Sequence, residues 1–146
     1  MAARCLPGLL LLLALALPGC AAQRQPAAPA ALPLCVAPAE LATEIQLFFG
    51  RARPGGLVSE AEWLAFLDEV VTPAFPDGLT VLDAEGRWRD PQAGRSLAEP
   101  SKVVVIYVFD RAAAAPLVAR VAAVYKDRFQ QQSVLTSERP ACVAFR

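Results

Sequence analysis

The chain has 146 residues, with 14 basic and 14 acidic side chains and no histidine. This neutral balance gives no electrostatic reason to expect a nucleic-acid partner. Without imidazole, the commonest general base, the commonest metal ligand and every Ser-His or Cys-His nucleophile pair are excluded.

Arg4 precedes an unbroken apolar run from Leu9 to Leu17, closed by Pro18-Gly19-Cys20. The run is about half the length that a bilayer-spanning helix needs, so residues 1–19 read as a cleaved export signal. Leu17-Pro18-Gly19-Cys20 resembles the bacterial lipobox, in which cleavage precedes the cysteine and its thiol is acylated. The resemblance implies a lipoprotein whose membrane partner is reached through a lipid on Cys20. Pro18 departs from the usual pattern and leaves a soluble periplasmic product as the alternative. Ala21-Ala22 after the cysteine, by similarity to Gram-negative sorting rules, implies the outer membrane facing the periplasm. Residues 20–41 are rich in Ala and Pro and read as a semi-extended tether. The remaining roughly one hundred residues, 42–146, form one domain with one modest core.

Cys5 leaves with the signal and Cys20 carries lipid, so Cys35 and Cys142 remain. In an oxidising compartment two such thiols most often pair, two separate buried thiols being the alternative. A bridge closing so long a loop contributes about 4 to 5 kcal/mol in the chain-entropy account.

Glu44 to Phe49 alternates and carries aromatics, as a strand does. Gly50 to Gly56 reads as a loop. Ser59 with Glu62 forms a capping box, Val58 with Trp63 a hydrophobic staple, and Trp63, Phe66, Leu67, Val70 and Val71 follow helical spacing up to a stop at Pro73. Leu79 to Leu82 is a short strand. Asp83 to Gly86 reads as a tight turn, and Arg87 to Arg89 as part of an extra ribbon. Pro91 to Pro100 is a polar loop, and Val103 to Phe109 a buried strand. A second helix follows Asp110, with Pro116 in its first turn and Leu117, Val118, Val121, Val124, Tyr125 and Phe129 on its apolar side. Ser133 to Ser137 and Ala141 to Phe145 make a last strand, interrupted at Arg139-Pro140.

This order predicts an α+β domain: a ferredoxin-like βαββαβ two-layer sandwich with antiparallel sheet order 4132 and an extra β-ribbon after strand 2. That topology sets the start of the first strand beside the end of the last, which places Cys35 near Cys142.

Leu47-Phe48-Phe49-Gly50-Arg51, Ser59 to Phe66 and Thr72 to Val81 resemble an uncharacterised bacterial family of secreted proteins, domain of unknown function 3574. Glu99 to Lys102, Tyr125 to Phe129, Ser133-Val134 and Cys142 match its later motifs. The resemblance spans about residues 40 to 146. It implies a small secreted or lipid-anchored domain and no known activity.

In the predicted topology, Arg51, Arg53, Arg87, Arg89, Lys102, Lys126 and Arg128 gather at one end of the sheet. Arginine clusters suit bidentate capture of carboxylate or phosphate, so an anion site there is one reading. Ordinary solvated charge, partly neutralised by Glu85, Asp90, Glu99 and Asp127, is the other, with Glu99 a candidate buried partner of one arginine. Glu60 and Glu62 read as solvated, apart from the capping role of Glu62. No carboxylate pair or Cys/His cluster supports acid–base or metal chemistry, and nothing in the chain asks for a cofactor.

Val103, Val105, Tyr107 and Phe109 alternate with Val104, Ile106 and Val108, so both faces of that strand are apolar. Helices cover one face only, and Phe48 adds to the other. A second copy, the tether, or the excursion from Arg87 to Leu97 is expected to cover it. Trp88 points away from Arg87 and Arg89, and Tyr107 needs a hydrogen-bond partner if buried. The leading functional reading is a non-enzymatic binding or assembly domain of the envelope whose ligand the sequence does not name. The alternative is a small enzyme of the dimeric α+β barrel type acting on a small anionic molecule, with Arg51, Glu99, Tyr107 and Arg128 in a closed pocket.

Overall fold

The computed structural model describes residues 34–89 and 94–146. The export signal, Cys20 and most of the tether lie outside the described residues. The chain runs through β1 (Glu40–Gly50), β2 (Ala52–Arg53), β3 (Gly56–Leu57), α1 (Glu60–Phe66), a π-helical turn (Leu67–Val71), α2 (Thr72–Ala74), β4 (Thr80–Arg89), β5 (Ser96–Val108), α3 (Arg111–Phe129) and β6 (Leu135–Val143). Four long strands form one sheet in the order β4-β5-β1-β6, with every neighbouring pair antiparallel. This is an α+β fold with one layer of helices on one layer of sheet.

Burial explains the pairing. Ile45, Leu47 and Phe49 of β1 sit opposite Ile106, Val104 and Lys102 of β5. Ile45, Leu47, Phe49, Val104 and Ile106, together with Trp63, Phe66, Tyr125 and Phe129, form the core beneath the helices. Each fully buried apolar side chain there contributes about 1.5 to 3 kcal/mol relative to exposure. The rings pack edge to face: Phe49 and Tyr125 have centroids 4.7 Å apart, Phe66 and Tyr125 5.0 Å, and Tyr125 and Phe129 4.9 Å.

Both main helices start as their sequences predict. Ser59 and Glu62 complete a reciprocal capping box, and Asp110 accepts from the Ala113 N–H. Pro73 does not stop the first helical stretch; it sits inside α2. A proline ring collides with the carbonyl four residues back in an α-helix. Here a widened π turn precedes it, with the Thr72 N–H bonded to the Leu67 carbonyl. Pro116 likewise lies inside α3 rather than in its first turn.

The strands are longer than the sequence predicts. Asp83 to Gly86 is not a turn: β4 runs straight through it, pairing Gly86 with Glu99 and Trp88 with Leu97 on β5. Gly86 is there for closeness, since an added Cβ would lie 2.7 Å from the Ser101 hydroxyl. The loop expected up to Pro100 is therefore strand from Ser96 onward. Where a loop is expected from Gly50 to Gly56, the chain forms the small hairpin of β2 with β3, Ala52 opposite Leu57. Pro140 does not interrupt β6, because an outer strand can leave one N–H side unpaired. Cys35 and Cys142 form a disulfide with their Cα atoms 5.4 Å apart.

Candidate functional site

Of the seven cations expected to converge, five have carboxylate partners among the described residues. Arg51 is held by its Nε donating to the Val58 carbonyl at 2.8 Å and by Glu60 at 3.0 Å. Glu60 also takes Lys102 at 2.8 Å, and Lys102 reaches Asp83 at 2.6 Å. Arg53 pairs with Glu62 at 2.9 Å and lies over the Phe129 ring. Arg128 pairs with Glu69 at 2.8 Å and lies over Phe66. Arg87 pairs with Glu85 at 2.8 Å. Arg87 and Arg89 ride on the part of the β4–β5 ribbon that extends past the last β1 pair, Gly50 opposite Ser101.

These contacts join Arg51, Glu60, Lys102 and Asp83 into one chain of charge. Lys102 is 5% exposed. Burial alone would lower its pKa, but the hydrogen bonds to Asp83 and Glu60 outweigh it and hold the ammonium charged. Lys102 in turn keeps Asp83 below the usual carboxylate range. Glu62 is drawn down to about 2, chiefly by the backbone and hydroxyl hydrogen bonds of Ser59 and then by Arg53.

Glu60 is exposed, as a solvated charge is, and it also bridges Lys102 of β5 and Arg51 just before the β2–β3 hairpin. Glu99 is not the partner of an arginine in the structure; its Oε2 accepts from the Ala52 backbone N–H at 2.9 Å. The useful signal was the acidic start of α1, since a helix that begins Glu-Ala-Glu after a basic hairpin presents carboxylates to it.

The face of the sheet away from the helices carries a different pattern. The register places Leu82, Val103, Phe48 and Leu135 in one row across all four strands. Leu82 is 51% exposed and Leu135 64%. On one side lies a shelf of small residues, Ala84, Ser101 and Gly50, with Gly86 beyond. On the other side Glu44, Tyr107 and Arg139 are cross-strand neighbours.

Glu44 is the feature that the sequence reading missed. It is 4% exposed on this outward face. It accepts from Arg139 at 2.9 Å, Gln46 at 2.6 Å and Tyr107 at 3.1 Å. The Arg139 hydrogen bond is the main reason its pKa is lowered despite burial. The bond to Glu44, with burial, raises the Tyr107 phenol. Tyr107 thus has the partner it needs. A glutamate inside an otherwise apolar alternating strand was the available clue.

The expected closed pocket is not formed by Arg51, Glu99, Tyr107 and Arg128. Arg51 and Glu99 sit at one end of the sheet, and Tyr107 lies toward the other. A groove of about 590 Å³ between α3 and the first helical stretch is lined by Val70, Pro73, Leu117, Val124, Glu69 and Arg128. A second hollow of about 380 Å³ lies at the β5–α3 junction, between Phe75, Gly78, Tyr107, Phe109 and Asp110. The aromatic core fills the space between sheet and helices. Among the described residues there is no group of three or more Cys, Asp or Glu placed to hold a metal ion. No helix among them is long and apolar enough to cross a membrane.

A family model described as "Protein of unknown function (DUF3574)" matches residues 44–145, and the chain belongs to that family. No curated protein matches. Among solved structures, the chain is similar to a phage SAM lyase in complex with S-methyl-5'-thioadenosine, at 11% identity and a TM-score of 0.56, covering 71% of this chain and 90% of that one. It is also similar to a phage SAM lyase in its apo state, at 13% identity and a TM-score of 0.54, covering 68% of this chain and 81% of that one. At such identities the likeness concerns the fold.

Proposed function

We propose that this member of the DUF3574 family is a non-enzymatic binding or assembly domain of the bacterial cell envelope, held at a membrane by a lipid on Cys20 and working through the uncovered face of its sheet. We read the fold as ferredoxin-like, the four long strands taking the order 4132 with the β4–β5 ribbon as its extension. The observation that carries the reading is the Leu82–Val103–Phe48–Leu135 row. Its two ends, Leu82 and Leu135, are exposed on the side without helices, and exposed apolar surface of this kind marks interaction sites. The ion pairs at the basic end favour structural charge there over capture of an anion by Arg51, Arg53, Arg87, Arg89, Lys102 or Arg128.

The test is site-specific photocrosslinking in intact cells. A photoreactive residue at Leu82 or Leu135 is expected to give discrete adducts, and one at Leu64 on the exposed side of α1 is not. Adducts absent from the first two, or equal at all three, sink the reading. Mass spectrometry of the membrane fraction tests the anchor: diacylglycerol is expected on Cys20, and an unmodified Cys20 or cleavage elsewhere rejects it.

A second reading, a small enzyme of the dimeric α+β barrel type acting on a small anionic molecule, draws on the fold likeness to a phage SAM lyase. The Glu44–Tyr107–Arg139 cluster offers it polar groups on the same open face. Native mass spectrometry of the purified protein separates the two, since a stoichiometric retained small molecule favours the enzyme.

A further inference from the structure

We propose that the domain also touches its membrane directly: the end of the sheet where the tether leaves, carrying Leu34, Val36, Phe109 and Phe145, seats in the interfacial layer of the bilayer that holds the lipid of Cys20. The proposal rests on the anchor reading above and adds a second, non-covalent contact to it.

The register brings these residues to one end. β1 begins at Glu40, opposite Val143 of β6, and its Thr43 lies opposite Val108, the last residue of β5. Phe109 is the first residue beyond β5, and Phe145 the second beyond β6. Leu34 and Val36 flank Cys35, which the disulfide ties to Cys142, opposite Leu41 near the start of β1. Three separate stretches of chain therefore deliver large apolar side chains to the same rim. All four are open to solvent: Leu34 is 95% exposed, Val36 81%, Phe109 55% and Phe145 86%. Single apolar residues on a surface are ordinary, but several gathered at one end mark a contact. Tyr107, two residues before Phe109, is half-exposed, with its hydroxyl held by Glu44. Rings with one apolar and one polar side collect at the membrane–water boundary.

The chain ahead of the rim selects the occupant. Residues 20 to 34 make up the whole connection to the lipid, at most about 50 Å when fully extended. A tether of that length holds the rim at roughly millimolar effective concentration to the bilayer. A contact too weak to recruit a free protein then keeps a tethered one seated. The other end of the sheet lies about 36 Å further along β1, and its cations Arg51, Arg53, Lys102 and Arg128 are occupied by carboxylates.

Charge does not drive the seating. The rim mixes Glu40, Asp77 and Asp110 with Arg111 and Arg146, and Arg111 is paired with Glu138 at 2.6 Å. The contact is burial of apolar surface, so it needs no anionic headgroup. Seated this way, the strands stand upright on the membrane. Leu82 and Leu135 then face sideways and stay open to a partner.

The experiment uses the full lipidated protein, purified from membranes and reconstituted in phosphatidylcholine vesicles. A photoreactive phenylalanine analogue replaces Phe109 or Phe145 in two proteins. In a third it replaces Leu57, which is 51% exposed in the hairpin at the far end. Lipid adducts, counted by mass spectrometry, are expected to be at least about tenfold more abundant at the first two sites. Their yield is expected to hold when about a third of the lipid is phosphatidylglycerol and when salt is raised to about 0.5 M. Val36→Ser combined with Phe145→Ser is expected to cut the Phe109 adducts about tenfold, with a thermal melt close to that of the parent because both positions are exposed. Intact mass of the same preparation reports the anchor. Acylated Cys20 with equal labelling at both ends, or with labelling strongest at Leu57, overturns the seat and leaves the anchor standing. A yield that rises with anionic lipid and falls with salt overturns the apolar contact. An unmodified Cys20 overturns both.

Discussion

The carboxylate of Glu99 occupies the place that a side chain on Gly50 would need. A Cβ built on Gly50 lies 2.6 Å from Glu99 Oε1, while Oε2 holds the Ala52 N–H at 2.9 Å. The bare backbone of Gly50 lets a side chain from β5 reach across β1 and tie down the start of the β2–β3 hairpin. The Gly50 carbonyl also accepts from the Tyr125 hydroxyl at 2.9 Å, so strand end, hairpin and α3 meet there. Gly50→Ala is expected to cost about 2 kcal/mol by displacing the carboxylate and losing its hydrogen bond. In a Glu99→Ala background the same change is expected to cost less than half as much. Urea unfolding of the four proteins measures the coupling, and full additivity would show that the two residues do not share this space.

Glu62 makes stability depend on acid in a defined window. Its folded pKa is lowered from 4.5 to about 2, first by Ser59 and then by Arg53. A lowered carboxylate contributes stability above its unfolded pKa and loses it as pH falls through the folded one. The contribution is therefore present above pH 4.5 and disappears toward pH 2. Glu62→Gln is expected to melt lower than the parent at pH 7, with the gap in Tm closing between pH 4.5 and 2. A gap that stays constant would mean that the capping box carries no charge dependence.

Lys102 predicts an inversion of the usual ranking. Its ammonium is buried, whereas Glu60 and Asp83 are well exposed and rehydrate easily. Lys102→Met removes a buried charge and leaves two wet carboxylates, so stability is expected to stay within about 1 kcal/mol of the parent. The combination of Glu60→Gln with Asp83→Asn strands the ammonium and is expected to cost about 3 kcal/mol. Chemical denaturation at neutral pH checks both, and the reverse order would refute the assignment of which partner is the dependent one.

The disulfide spans 107 residues of sequence. Replacing both Cys35 and Cys142 with Ser is expected to lower stability by about 4 to 5 kcal/mol through the freed unfolded chain. Reduction of the parent should lower it by the same amount. A loss under 1 kcal/mol would show that the unfolded state is already compact around these positions.

The sequence carried the helices and the central strands because their signals are local. Ser59 and Glu62 cap by spacing alone, and Val103 to Val108 can only be a buried strand. The longer strands were hidden because their cause lies across the sheet. Gly86 reads as a turn until Ser101 is seen opposite it, and Pro140 reads as a break until β6 is known to be an outer strand. The same blindness affected the site. Glu44 gains its meaning from Arg139 and Tyr107, 95 and 63 residues away. Glu60 became a bridge because the hairpin and β5 converge on it. Pairings of that range leave no periodic trace.

The bridge between Cys35 and Cys142 also decides how the domain answers to pulling. Any drag on the chain ahead of Cys35 arrives first at the sulfurs and passes into β6, which lies alongside β1 with Leu41 opposite Cys142. Two adjacent antiparallel strands then share the load through one covalent knot, and β1 cannot be peeled from its leading end. A domain hauled about by its front end is thereby protected from being unravelled there.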